Sequence, residues 1–283
     1  MSAPAPGMWQ MTGPAAFSGD ARRFGHLAAA LALTDFKLRF FDSVLGYMWT
    51  LIRLLLLFGV LYLVFSQIVP IGGDVARYPV ILLSGVVLFW YFGEATGNAV
   101  RSLVDRESLV RKIHFPRMVV PLSVVLTATF NLLLNLVVVF LFMLAAGVEP
   151  RWTWLELPAL LALLMVFSTG VAMLVSALFV PFRDVRPIWD VISQALFYTT
   201  PVIYPIELVA QRNETLAQIV MYNPVAAIIQ QFRYAMIDPS AQSAGEALGS
   251  AWLLAVPGLV LVGVVALGLY VFNRMAPRIA DLL

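Results

Sequence analysis

Long apolar runs separated by short polar breaks make up most of the chain. Six of these runs are roughly 20 residues, the length that crosses a hydrocarbon core as a helix. They cover about Tyr47–Val69, Pro79–Val100, Met118–Ala146, about Leu155–Val180, Pro187–Tyr204 and about Trp252–Phe272. Unbroken runs predict helices rather than the ~10-residue alternating strands of a membrane barrel. In lipid every backbone group must be bonded internally, and helices satisfy that segment by segment. The expected fold is an all-α integral membrane protein with six transmembrane helices.

The remaining segments have other patterns. Residues 1–20 are rich in Pro, Gly, Ala and Ser, without periodicity, and predict a disordered cytoplasmic tail. They lack the basic start and apolar core of a cleavable signal peptide. Residues 21–41 mix Arg22, Arg23, His26, Lys37 and Arg39 with Phe24, Leu27, Leu31, Leu38 and Phe40. Their apolar stretch is too short to span, which predicts an amphipathic helix lying at the interface. The transmembrane domain then occupies 42–283. Between the fifth and sixth runs lies LAQIVMYNPVAAIIQQFRYAMI, apolar but interrupted. Asn223-Pro224 reads as a helix start, with Asn as cap and Pro in the first turn. Two short outer helices follow, either re-entrant or lying on the surface; the re-entrant form needs protein or water around its backbone.

Composition agrees with a membrane protein: 61% of residues are hydrophobic and 12% charged, against about 25% charged in soluble domains. A net charge of +2 gives no ground for nucleic-acid binding, and the absence of cysteine excludes disulfides and thiolate sites. The placement of charge says more. With both termini inside, 14 Lys and Arg lie on the inner side and four, Arg77, Arg151, Arg212 and Arg233, outside. That bias sets the orientation.

The most charged stretch, RSLVDRESLVRKIHFPRMVVP (101–121), therefore falls in the cytoplasm. It carries Arg101, Asp105, Arg106, Glu107, Arg111, Lys112 and His114. Either it grips a soluble partner or it only holds the topology; orientation alone has no need of Asp105 and Glu107. The chain has no GxxxxGK[ST] phosphate loop and no GxSxG elbow. Its two histidines, His26 and His114, have no cysteine or paired carboxylates beside them, so no metal site is expected. These features point to a transport subunit, not an enzyme, with its energy supplied by another protein.

Four stretches in order, LLSGVVLFWYFGEA, SLVDRESLVRKIHFPRMVVPLS, FRDVRPIWDVISQALFYTTPVIYP and YNPVAAIIQQFRYAM, resemble the ABC-2 type permeases that export polysaccharides and polyol phosphates. DFKLRFFDSVLGYMWTLI resembles that family's entry into its first span, and Arg53-Leu54 departs from a proline that many relatives carry there. The resemblance runs from Asp35 to the C-terminus. It implies two copies of this chain forming a channel in the bacterial cytoplasmic membrane, and two copies of a separate ATPase beneath that bind ATP and Mg. It also implies a lipid-linked glycan as cargo, such as O-antigen or teichoic acid. The 101–117 segment would be the coupling helix seated in the ATPase. The second inner loop, with Arg183, Asp184 and Arg186, is either a lesser contact or a tight turn whose Asp caps the next helix. A drug or lipid exporter of the same fold, and a membrane scaffold without transport, are the alternatives.

Ionisable groups at membrane depth are candidates for function. Arg53 and Glu94 fall at similar depth and either pair or separate, Arg53 reaching the headgroups and Glu94 facing water. Asn131 and Asn135, four apart, share a helix face and either bond to a neighbouring helix or line a conduit. Trp90, Tyr91 and Phe92 in the second span, and Tyr198 and Tyr204 at the outer end of the fifth, either pack helices together or offer ring faces to sugars.

Overall fold

The computed structural model describes residues 21–41, 46–69, 75, 77–111 and 116–282. The expected tail at 1–20, and Lys112 and His114 of the charged stretch, lie outside these residues. Every regular element among them is a helix.

The first helix, α1 (Ala21–Phe41), covers the segment expected at the interface. α2 (Gly46–Leu63) continues as a π-helical turn, Val64–Ile68. α3 (Tyr78–Asp105) is followed at once by the single turn α4 (Glu107–Val110). α5 (Val119–Ala145) and α6 (Leu157–Phe179) match the third and fourth expected spans, the latter entered through a 3₁₀ turn at Trp152–Glu156.

Among the described residues, five helical stretches are long and apolar enough to cross a membrane. The fifth expected span, Pro187–Tyr204, is instead a helix of 15 residues, α7 (Val185–Thr199). At ~1.5 Å per residue it rises about 22 Å, short of the roughly 30 Å hydrocarbon core. The cause is local. Thr200 precedes Pro201, which disfavours the helical region, and it is extended at φ −76°, ψ 140°. Tyr204 thus falls in a turn, with its hydroxyl donating to the Thr199 carbonyl at 2.9 Å.

Four short helices cap this end of the bundle: α8 (Ile206–Arg212), α9 (Glu214–Met221), α10 (Pro224–Phe232) and α11 (Ala244–Ala247). Asn223 caps α10 as expected, accepting from the Val225 amide at 3.0 Å with Pro224 in the first turn. Almost every residue of α10 is buried. That is the cover a re-entrant helix requires.

The π-turn Arg233–Ile237 after α10 is tied by donors from other loops. Trp154 Nε1 reaches the Met236 carbonyl at 3.1 Å, and Arg77 Nη1 the Ile237 carbonyl at 3.0 Å. Buried Arg233 in turn donates to the Tyr204 and Val202 carbonyls, both at 3.0 Å. Burial raises the pKa of Asp238 beside this turn. The Ser240 hydroxyl and amide, with the charges of Arg77 and Arg151, outweigh burial and hold the carboxyl below its usual range.

α12 (Ala255–Leu282) closes the chain and runs well past the expected end at Phe272, with Pro277 inside it. Its extension packs at the end of the bundle opposite the cap. There Phe272, Ala276 and Ile279 join Leu103, Val120, Met173, Ala177 and Val180 in an apolar socket, and Val110 of α4 is fully buried in it.

α3 is the central helix. In its most apolar stretch 78% of residues are buried, against 11% for α2 and 17% for α12. Apolar contact with lipid costs a side chain nothing relative to apolar contact with protein, so helices here are held by close packing and hydrogen bonds. The tightest crossing is α6 on α12. A Cβ added to Gly268 would lie 2.2 Å from the Gly170 carbonyl oxygen, and one added to Gly170 would lie 2.7 Å from Val265 Cα.

Candidate functional site

A cavity of about 780 Å³ opens between α2, α3 and α7. Each helix contributes one face, fixed by helical periodicity. On α3 that face is Val86, Phe89, Trp90, Gly93, Glu94 and Gly97. On α7 it is Asp190, Ser193, Gln194 and Phe197, with Trp189 and Tyr198 at its edges, and on α2 it is Trp49, Thr50, Arg53 and Leu57. The lining alternates ring faces with groups able to donate or accept hydrogen bonds. The glycines widen it: a Cβ at Gly97 would meet nothing within 4 Å, and one at Gly93 only the Ser193 hydroxyl at 3.9 Å.

A second cavity, about 560 Å³, lies toward the charged end. It is lined by Asp35, Leu38, Arg101, Ser102, Asp105, Arg106, Val124, Thr127 and Arg186 together with Glu94 and Asn98. Glu94 and Asn98 line both cavities. The two spaces therefore adjoin at these side chains, one toward the charged end and one beside the aromatic residues.

The candidates sort by where the structure places them. Trp90 and Tyr198 line the larger cavity. Tyr91 and Phe92 do not; both are buried core residues, Tyr91 with its hydroxyl 3.2 Å from Thr129 Oγ1 and Phe92 stacked on Phe167 at 5.7 Å. Each residue along a helix turns the side chain by about 100°, so neighbours on α3 face the cavity and the core in turn.

Arg53 and Glu94 border the same cavity. Glu94 accepts from Asn131 Nδ2 at 2.8 Å, so Asn131 joins α5 to α3 beneath the cavity wall. Asn135 is buried one turn further along, and its Oδ1 accepts no hydrogen bond.

In the charged stretch, Arg101 faces Asp105 at 3.6 Å and Arg111 faces Glu107 at 2.7 Å, both exposed pairs four residues apart. Arg106 differs. It turns inward, donating to Ser123 Oγ at 2.8 Å and to Asp35 of α1.

In the second loop, Arg183 lies over the Phe179 ring at 5.0 Å. Asp184 occupies the cap position of α7, but its side chain makes no capping bond. Its own dihedrals, φ −69° and ψ −14°, are already helical, whereas a capping side chain works from an extended residue. Arg186 bonds Asp190 at 3.1 Å and the Gly97 carbonyl at 3.1 Å, fastening α7 to α3.

Trp49, Asn98, Trp189, Asp190, Ser193 and Gln194 were not among the sequence candidates. One signal was present: Asp190, Ser193 and Gln194 are spaced i, i+3, i+4, a polar stripe along one face of an otherwise apolar run, with Phe197 next on that face.

Comparison with known proteins adds a separate line. A family model described as "ABC-2 type transporter" matches residues 27–237. The chain is 26% identical over 258 residues to an O-antigen export system permease protein, RfbA, of Klebsiella pneumoniae, covering 91% of this chain and 95% of that protein. It is 26% identical over 207 residues to RfbA of Myxococcus xanthus, covering 73% and 78% respectively. It is 23% identical over 217 residues to the polysialic acid transport protein KpsM of Escherichia coli, covering 74% and 80%.

Proposed function

The chain belongs to the ABC-2 type transporter family, and on that premise we propose that it is the membrane subunit of an exporter for a lipid-linked cell-envelope polysaccharide. Two copies of this chain would form the conduit, driven by two copies of a separate ATPase that binds ATP and Mg. Both termini would be cytoplasmic, as the 14-to-4 placement of Lys and Arg favours.

The observation that carries this reading is the pair of adjoining cavities that share Glu94 and Asn98 in their walls. Sugar rings present CH faces that pack on aromatic rings, and their hydroxyls need polar partners. Phe89, Trp90, Trp189, Phe197 and Tyr198 supply the first, and Thr50, Ser193, Gln194 and Asn98 the second. Such a lining suits a polar polymer that must slide, since no single contact is strong. The relatives' names, for O-antigen export and polysialic acid transport, support a polysaccharide cargo.

The coupling reading rests on α4. The exposed ion pairs beside it, Arg101–Asp105 at the end of α3 and Arg111–Glu107 across α4 itself, are of the kind that gives a specific, salt-sensitive contact. Its buried Val110 plugs into the socket formed by α6, α12, the end of α3 and the start of α5. A push on α4 therefore reaches four helices through packed side chains.

The test is surface glycan on cells whose own copy of the gene is deleted. Gly97→Leu fills the cavity where a Cβ has open space, so insertion and ATPase association should persist while surface glycan is lost. Reversal of Arg111 and Lys112 to Glu should leave insertion intact and uncouple ATP hydrolysis from export. Normal surface glycan from Gly97→Leu would remove this cavity from the route.

A further inference from the structure

Arg106 stands at the hinge between α3 and α4, where the backbone leaves the helix at φ −117°, ψ 33°. From the hinge its guanidinium reaches two other elements: it bonds Ser123 of α5 at 2.8 Å and pairs with Asp35 of α1. The pair is sheltered: side-chain exposure is 20% for Arg106 and 29% for Asp35, against 55% and 44% for Arg111 and Glu107. A partly buried pair held through the planar fork of Arg is directional and resists screening, unlike an exposed pair.

Elsewhere α1 packs chiefly on α5, with a smaller contact to α2. Phe24 and Ala28 pack on Val119, with Leu27 and Leu31 against Met118, Leu122 and Leu126. Thr127 Oγ1 donates to the Ala32 carbonyl at 3.3 Å, and Phe36 meets Phe130 edge-on at 5.8 Å. Asp35 and Arg106 also form part of the wall of the smaller cavity, beside Arg101, Asp105 and Glu94. The pair thus sits where the wall contributed by α1 meets the hinge of the charged turn.

We propose that Arg106 is a positioning residue for transport, not a contact with the partner. Through Asp35 it latches α1 to the hinge of α4, so that movement of α4 carries α1 with it and changes the width of the cavity mouth. This rests on the transport reading above, in which a partner drives α4.

The experiment uses the intact complex with its ATPase. Asp35→Asn and Arg106→Gln should insert, co-purify with the ATPase and hydrolyse ATP, while export falls at least tenfold. The swap Asp35→Arg with Arg106→Asp should recover most of the export. Arg106→Lys, which keeps the charge but loses the fork, should fall between. Loss of ATPase co-purification in Arg106→Gln would make Arg106 a docking contact and overturn the latch. Single variants that export normally, or a swap that inserts but restores no export, would overturn it too.

A second measurement does not depend on the cargo. The chain has no cysteine, so spin labels at Thr34→Cys and Ser108→Cys, both exposed, report the α1–α4 distance alone, in complexes where the label leaves ATPase binding intact. That distance should stay narrow through the ATP cycle in the otherwise unchanged chain and broaden in Arg106→Gln. A distance that varies equally in both overturns the latch. A narrow distance in a complex that exports no glycan would retain the latch and reject the cargo.

Discussion

Adding one methyl group to Gly268 tests how the socket for α4 is held in place. Gly268 lies one turn before Phe272, and its partner Gly170 lies three residues before Met173; both Phe272 and Met173 line the socket that buries Val110. A Cβ at Gly268 would stand 2.2 Å from the Gly170 carbonyl oxygen and 3.0 Å from its carbonyl carbon. An ordinary contact needs more than 3 Å, and the obstacle is backbone, so no rotamer relieves it. α6 and α12 must part by about an ångström, and the contacts along their crossing weaken together. Overpacking of this kind costs about 1–3 kcal/mol.

Gly263 is the control on the same helix, because a Cβ there meets nothing within 4 Å. In a helix interior Gly→Ala without a clash stabilises by roughly 0.4–1 kcal/mol. The gain applies at both positions, so the two alanine variants should differ by the overpacking cost, about 1–3 kcal/mol. Thermal unfolding of the purified protein in detergent measures this: the midpoint of Gly268→Ala should lie below, and that of Gly263→Ala at or above, the parent value. Gly268→Ala should also release Val110, making residue 110 accessible to a thiol reagent when replaced by Cys. Equal midpoints for the two alanine variants would refute the close crossing.

Val110→Asp should leave the membrane helices inserted but eject α4 from its socket, abolishing ATP-driven export while the ATPase still binds. Glu94→Leu should cost about 1 kcal/mol by stranding the Asn131 amide in a buried site. Adding Asn131→Leu should recover most of that in a double-mutant thermal series, and no recovery would break the assigned bond. Acid should weaken the cap near Asp238. Its folded pKa is depressed, so its contribution is present above the unfolded value and lost as pH falls through the lower folded one. Below about pH 4 the unfolding midpoint of the parent should fall more steeply than that of Asp238→Asn.

Much of this protein was legible from hydrophobicity because lipid imposes a severe rule. A backbone in hydrocarbon must be helical, so run length alone located α2, α3, α5, α6 and α12 to within a few residues at most of their ends. Cap chemistry is equally local, and Asn223-Pro224 started α10 where the dipeptide said it would. Locality also explains the expectation that failed at Thr200: a proline one residue on stopped α7 early, while the apolar run continued to Tyr204 and concealed the stop. Asp184 shows the same limit, since a good capping residue does no capping when its own backbone is already helical.

The functional site was legible only in pieces. Periodicity places Trp90 and Glu94 on one face of α3 and Tyr91 on another, but whether a face meets protein, lipid or a cavity depends on its neighbours. Glu94 found Asn131 across a helix boundary, and Arg106 found Asp35 71 residues away. Run length and charge placement, which depend on how each residue partitions between lipid and water, were decided by the sequence. Which faces meet, which arginine turns inward and where two cavities adjoin depend on contacts between residues far apart in the chain, and only the packed bundle decides them.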